Sequence, residues 1–399
     1  MKKYKIPLIK STFYNEQETK RKLVSFILKS KKLSMGKYVE RFEQKFAKWQ
    51  GRKYAVMFNS GSSANLALIQ TLLNLELIQK GDKVGISGIT WSTNVMPIIQ
   101  LGLNPILIDV SLETLNITPI TVEEMYGKYK FKVLFITHLL GFCDDIVKIQ
   151  NFCSQNKILL IEDTCESYGS EYLGKKLGNF GLASTFSFFV GHQMSTIEGG
   201  MVCTDDKDIF DMLKIVRAHG WARNLDDHSR KKFIKKFKVE KFYEPYTFYD
   251  LGYNLRPTEI QGYLGLIQLG FLDEIIKKRE DNFYKLSKVY DDFSPYLQRV
   301  SNKNLTRLSN FGFPIICKNK QTRILLTEYL SKKGIEIRPI VGGSIATQPF
   351  FQKYIKKKFD LPNSNYINEN GFYFGNNPEM TDGEIKFVIN TFKNFFKNK

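Results

Sequence analysis

Between residues 53 and about 205 the chain alternates short apolar runs with amphipathic ones, and this alternation restricts the fold more than any other feature. Lys53–Phe58, Lys83–Ser87, Pro105–Asp109, Val133–Thr137, Ile158–Glu162, Ser184–Phe188 and Met201–Thr204 read as strands. Ala64–Leu75, Asn94–Gln100 and Ile146–Gln155 carry apolar residues at helical spacing. Strands that are apolar almost throughout, with helices between them, belong to a mostly parallel α/β sheet covered on both faces. After Arg256-Pro257 one long helical pattern runs from Thr258 to about Tyr290. The remainder mixes a strand (Phe311–Ile316) with helices (Gln321–Lys332, Asp382–Phe396), as a smaller α+β domain would. The expected division is a large domain over residues 1–275 and a small one over 276–399, with residues 1–30 packing on the small domain.

Composition narrows the class of function. The 59 Lys and Arg against 40 Asp and Glu give a net charge of +19, which suits nucleic acid, an anionic membrane or an anionic small molecule. The lysines are scattered, and no Arg-rich arm, zinc-finger spacing or RNP-type motif accompanies them, so no nucleic-acid partner is expected. Most of the excess reads as the compositional bias of an AT-rich genome. Met1-Lys2-Lys3 looks like the start of a signal peptide, but Pro7 and Lys10 cut the apolar stretch short. The uncharged stretch Val84–Ile108 is long enough to span a bilayer, yet its Ser, Thr and Asn residues, Pro97 and Pro105 break any continuous apolar helix. The five cysteines are odd in number and widely spaced, which argues against a disulfide scaffold. A soluble, cytoplasmic protein is expected.

In open parallel sheets ligands collect at the carboxyl ends of the strands. The first strand is followed by Asn59-Ser60-Gly61-Ser62-Ser63-Ala64-Asn65, small residues at a helix start that suit a phosphate or an ordinary serine cap. Thr90-Trp91-Ser92 brings an aromatic residue to the same edge, for ring stacking or for packing. Glu162-Asp163 ends a strongly apolar strand, and carboxylates there need a partner such as a cationic ligand group. Ser187 ends another strand and His192 follows on the next turn, which sets a hydroxyl beside a base whose ordinary pKa is about 6.5. No two of the four histidines have ligand spacing, so no metal site is expected.

Together with Met35-Gly36-Lys-Tyr-Val-Glu-Arg-Phe-Glu43, Gly81-Asp82-Lys-Val, Glu198-Gly199-Gly200 and Gly252-Tyr253-Asn254-Leu255-Arg256, these motifs resemble the DegT/DnrJ/EryC1/StrS sugar aminotransferases. That family has the fold-type I, pyridoxal-phosphate-dependent architecture, and the likeness is ordered over nearly the whole chain. One position departs from it. Where the aminotransferases carry the lysine that binds the cofactor covalently, this chain has His192, and no lysine occurs between Lys176 and Lys207. An imidazole cannot form a Schiff base, so the resemblance implies a cofactor held non-covalently, as pyridoxamine or pyridoxal 5′-phosphate.

The substitution resembles the 3-dehydratase branch, which removes the C3 hydroxyl of nucleotide-linked 4-keto-6-deoxy sugars. One kind in that branch acts on a CDP-sugar with an iron–sulfur cluster, which needs four cysteines. Gaps of 10, 12, 38 and 114 residues between the cysteines favour the cluster-free kind, acting on GDP-4-keto-6-deoxy-D-mannose towards 3,6-dideoxysugars. An ordinary nucleotide-sugar aminotransferase and a silent scaffold are the alternatives. By resemblance, Gly61, Ser62 and Ser187 hold the cofactor phosphate, with Asn254 from a second subunit of a homodimer. Trp91 stacks on the cofactor ring, Asp163 pairs with its nitrogen, and Glu166 lies near its hydroxyl. His192 serves as base and then acid in expelling the C3 hydroxyl, and L-glutamate renews the pyridoxamine form. Arg223, Arg256 and Arg338 are candidates for the substrate diphosphate or the glutamate carboxylate, and His219, Phe248 and Glu336 for the sugar site.

Overall fold

The computed structural model describes residues 4–397, so the basic start Met1-Lys2-Lys3 lies outside the described residues. Nine strands form in the first half of the chain: β1 (Tyr54–Phe58), β2 (Lys83–Ser87), β3 (Asn104–Ile108), β4 (Val133–Thr137), β5 (Leu159–Asp163), a short hairpin of β6 (Glu171–Tyr172) and β7 (Lys175–Lys176), then β8 (Ala183–Ser187) and β9 (Gly200–Thr204). Seven of them make one sheet in the order β1-β9-β8-β5-β4-β2-β3, in which β9 alone runs antiparallel to both its neighbours. Side chains alternate across the sheet as strand geometry requires. In β4, Val133 and Phe135 enter the core under the helix Gly61–Asn74, while Leu134 and Ile136 enter the core on the opposite face. Burial on both faces is why these strands are apolar at nearly every position.

The uncharged stretch resolves into β2, the helix Ser92–Gln100 and β3. No helix among the described residues is long and apolar enough to cross a membrane. A second, antiparallel sheet follows: β10 (Leu297–Gln298), β11 (Gly312–Cys317), β12 (Ile337–Pro339) and β13 (Gly371–Gly375), ordered β10-β11-β13-β12.

Three details differ from the sequence reading. The long helical pattern is three helices, Glu259–Leu269, Leu272–Leu286 and Lys288–Asp292, interrupted at Gly270-Phe271 and at Ser287. Periodicity continues across those breaks because the same face stays buried. The division placed at 275/276 falls inside Leu272–Leu286, where Leu272 and Ile276 pack beside the large sheet and Phe283 and Leu286 join the core that includes the small one. The N-terminal segment also divides its contacts. Ile6 bridges Ile335 and Lys10 pairs with Glu384, whereas the helix Glu16–Lys29 lies against Glu259–Leu269.

A buried ion pair ties the first strand to its helices. Arg217, at the end of Lys207–Arg217, bonds Glu43 and the Met57 carbonyl, and Glu43 accepts the Met57 N–H at 2.7 Å. Removing one member leaves a buried charge without a partner, which costs about 3–5 kcal/mol, while replacing both with apolar residues costs far less. Glu43→Ala is therefore expected to lower the unfolding free energy by about 3 kcal/mol. Glu43→Leu combined with Arg217→Met should lose much less, as measured by urea unfolding followed by tryptophan fluorescence.

Candidate functional site

A cavity of about 720 Å³ opens where the carboxyl ends of β1, β5 and β8 meet the small sheet. On the large-sheet side the chain turns from β1 into the helix Gly61–Asn74, capped by Ser60, whose Oγ accepts the Ser63 N–H at 3.1 Å. Gly61 is required there: a Cβ would lie 2.6 Å from the Cβ of Ser187. Gly200 is required for a similar reason, since its Cβ would meet the Ser60 carbonyl at 2.2 Å. These approaches bring the first N–H groups of the helix, which have no partner within it, beside the hydroxyls of Ser62 and Ser187. Such an arrangement has the chemistry to hold a phosphate.

Asp163 ends β5 and is almost fully buried. Its Oδ2 accepts Asn65 Nδ2 at 3.1 Å and Asn94 Nδ2 at 2.6 Å, and its Oδ1 accepts the Cys165 N–H at 2.8 Å. Every donor to it is neutral, so its negative charge is oriented but left for a cationic group in the cavity. Glu162 behaves differently. It points to the other face, where it bonds His138 at 2.9 Å and accepts the N–H groups of Gly178, Phe180 and Gly181. Burial works to raise the Glu162 pKa, and His138 with these N–H bonds and the Arg52 charge outweighs it, holding the carboxyl below its usual range. The partner expected for the acid pair is therefore internal for Glu162 and open only for Asp163.

His192 sits on the turn after β8 with its ring in the cavity wall. Nδ1 lies 3.4 Å from the Ser187 carbonyl, and the ring stacks on Phe311 with centroids 5.3 Å apart. One edge of the ring meets the cavity and protein encloses the rest, so burial lowers its pKa to about 4. Glu166 moves the other way. Burial raises its pKa to about 8, although it accepts the Leu140 N–H at 2.8 Å. Trp91, 52% exposed, stands at the mouth. Glu336 and Arg338 enter from the small-sheet side as an ion pair of 2.7 Å. Glu336 also accepts the Leu8 N–H at 2.9 Å, which lays Leu8 and Ile9 along one wall.

Gly61, Ser62, Trp91, Asp163, Glu166, Ser187, His192, Glu336 and Arg338 thus line one cavity. Asn254, Arg256, His219, Arg223 and Phe248 do not. They gather on a separate surface: Ala218 bridges Asn254, and Arg256 Nε donates to Asn254 Oδ1 at 3.0 Å. Phe248 stacks on Trp221 at 5.5 Å, and the Arg223 guanidinium lies 3.8 Å from the Trp221 ring centroid. Phe248 is 57% and Tyr246 72% exposed there. Sequence reasoning missed Asn65 and Asn94 as holders of Asp163, though both stand near the starts of helices that open at the strand ends. It also missed Phe311 and Tyr373, whose entry into the cavity depends wholly on the docking of the small sheet.

The chain is 36% identical over 394 residues to the GDP-4-keto-6-deoxy-D-mannose 3-dehydratase of Escherichia coli O55:H7, covering 97% of this chain and 99% of that protein. A crystal structure of a GDP-4-keto-6-deoxymannose-3-dehydratase variant with bound GDP-perosamine superposes with a TM-score of 0.88 at 34% identity, over 97% of this chain and all of that one. Another, with a trapped PLP-glutamate geminal diamine, gives 0.86 at 34% identity with the same coverage. Residues 14–393 match the DegT/DnrJ/EryC1/StrS aminotransferase family, and the chain belongs to it.

Proposed function

We propose that this protein is a 3-dehydratase of GDP-4-keto-6-deoxy-D-mannose. It uses pyridoxamine/pyridoxal 5′-phosphate held without a covalent link and renewed by L-glutamate. The observation that carries this reading is His192 in the cavity wall, five residues after Ser187, with no lysine among the residues lining the cavity. The relatives named above support it along the full length of the chain.

The site fits the cofactor on its own chemistry: a Gly61–Ser62–Ser187 cradle for the phosphate, and an oriented Asp163 carboxylate for a protonated ring nitrogen. Bound there, the cofactor supplies an amine for the sugar's C4 ketone and a ring that accepts electrons. Trp91, at the mouth, would cover the ring. Glu166, whose pKa burial raises to about 8, would offer a hydrogen bond to the ring oxygen. His192 is neutral at that pH. Its Nδ1 proton points to the Ser187 carbonyl, which leaves the Nε2 lone pair to take a proton and return it to the departing C3 hydroxyl. Arg338, steered by Glu336, binds an anionic group, either the diphosphate or the glutamate carboxylate. Leu8, Ile9, Phe311 and Tyr373 keep water from the reacting atoms.

The active unit is a homodimer. The exposed surface of Asn254, Arg256, His219, Arg223 and Phe248 serves the partner's cavity, Asn254 at the phosphate and the others at the nucleotide sugar. The product class, a nucleotide-linked 3,6-dideoxysugar, places the enzyme in the cytoplasmic assembly of surface polysaccharide such as O-antigen.

His192→Asn should slow loss of the C3 hydroxyl, followed by NMR of the sugar, by about 10²–10⁴-fold. Undiminished turnover would sink the assignment. Borohydride treatment with pyridoxal phosphate should leave no reduced lysine adduct on peptide mapping. Mixed dimers of His192→Asn and Asn254→Ala chains should recover activity that each variant alone lacks, and failure to complement counts against a shared site.

Glu166 gives a pH prediction with a definite sign. Its pKa is higher folded than unfolded, so the folded state holds the extra proton and loses stability as pH rises towards about 8. Cofactor-free Glu166→Gln should therefore melt progressively higher than the parent protein as pH rises from 5 to 8, with the difference levelling off above that, measured by scanning calorimetry.

A further inference from the structure

Behind the His192 turn lies a buried arginine that the proposed chemistry does not use. Arg279 stands on the helix Leu272–Leu286 and is 6% exposed. One terminal nitrogen donates to the His192 carbonyl at 2.9 Å. Its Nε and its other terminal nitrogen have no hydrogen-bond partner among the described residues, and no carboxylate pairs with it there. A buried guanidinium without a counter-ion is costly, and such a group is normally paired or replaced by an apolar side chain. Tyr168 is the titratable neighbour of Arg279, but burial keeps its phenol neutral, so it supplies no counter-charge. Burial lowers the Arg279 pKa to about 10, so it stays charged at neutral pH. Asn376 donates to the Arg279 carbonyl at 2.8 Å and so fixes this part of the helix.

We infer that Arg279 is a positioning residue for His192: its hydrogen bond to the His192 carbonyl holds the turn that carries the ring, and its buried positive charge, with no counter-ion, adds to burial in disfavouring the imidazolium. The inference rests on His192 being the base. Two charged groups act on the ring from opposite directions. Asp163, from the end of β5, favours the imidazolium, and Arg279, from the helix, opposes it. Cys165, Glu166, Glu198, Tyr373 and the Glu336–Arg338 pair share the cavity with it. Glu166 holds its proton at neutral pH, and Tyr373 is kept neutral by burial. Desolvation and Arg279 therefore act together against the Ser187 carbonyl and Asp163, and they do so in the protein without substrate.

The test is a titration of the four histidine rings by NMR in ¹⁵N-histidine-labelled protein, with and without pyridoxamine phosphate, His192 being assigned by the signal missing from His192→Asn. In the folded protein Arg279→Gln, which keeps a donor but no charge, should raise the His192 pKa by about one unit. Arg279→Lys, which keeps the charge, should leave it low. The acid limb of the kcat profile should move in parallel with the NMR value. A His192 pKa unmoved in folded Arg279→Gln overturns the proposal. If Arg279→Gln does not fold, Arg279→Lys decides, because a return of His192 to the free-imidazole range in that variant equally overturns it. The ring titration is read without turnover, so a failure here is distinguishable from a failure of the dehydratase reading, which the loss of the C3 hydroxyl reports.

Discussion

A strand buried on both faces must find a partner for every charge it carries, and β5 carries two acids at its carboxyl end, Glu162 and Asp163. The Asp163 carboxylate accepts three N–H bonds, two of them from asparagines near the starts of the helices Gly61–Asn74 and Ser92–Gln100. Those bonds fix both helix starts against the same strand end. The helix start at Gly61 and the aromatic mouth at Trp91 are thereby held in register with Asp163. Glu162, one residue earlier, is turned to the opposite face by the pleat and is satisfied internally. Adjacent acids thus have different tasks because side chains alternate along a strand.

Desolvation supplies the rest of the electrostatics. The same dry wall raises the Glu166 pKa and lowers that of His192, since burial penalises whichever form is charged. The two groups nearest the chemistry are consequently both neutral near pH 7, one able to donate a hydrogen bond and the other to accept a proton. Charged side chains at the cavity are Asp163 and Glu198 on the large-sheet side and the Glu336–Arg338 pair on the small-sheet side, with Arg279 behind the His192 turn. An arrangement of this kind discriminates between charge states before any ligand arrives, which is the electrostatic form of preorganisation.

Much of this was legible in the residues. Strand positions along β1 to β5, β8 and β9 follow from apolar runs bounded by turn residues, and their ends carry Ser62, Asp163 and Ser187 as an α/β sheet requires. The break at Gly270-Phe271 was not legible, because the buried face of Glu259–Leu269 continues into Leu272–Leu286 and the periodicity hides the interruption. Asn65 and Asn94 were equally hidden, since an asparagine near a helix start looks the same whether it caps a helix or reaches across to another strand. Asn254, Arg256, His219, Arg223 and Phe248 stand apart from the cavity of their own chain, a separation that linear order does not reveal.

The sequence alone determined the parallel sheet, the chemistry placed at each strand end and the absence of a lysine where His192 stands. These are local properties, written in side-chain period and in residue identity. Tertiary structure decided which of those side chains share one cavity, how far burial moves Glu166 and His192, and that Arg279 reaches the His192 carbonyl from 87 residues away. Desolvation and long-range packing are properties of the folded surroundings, and no local pattern encodes them.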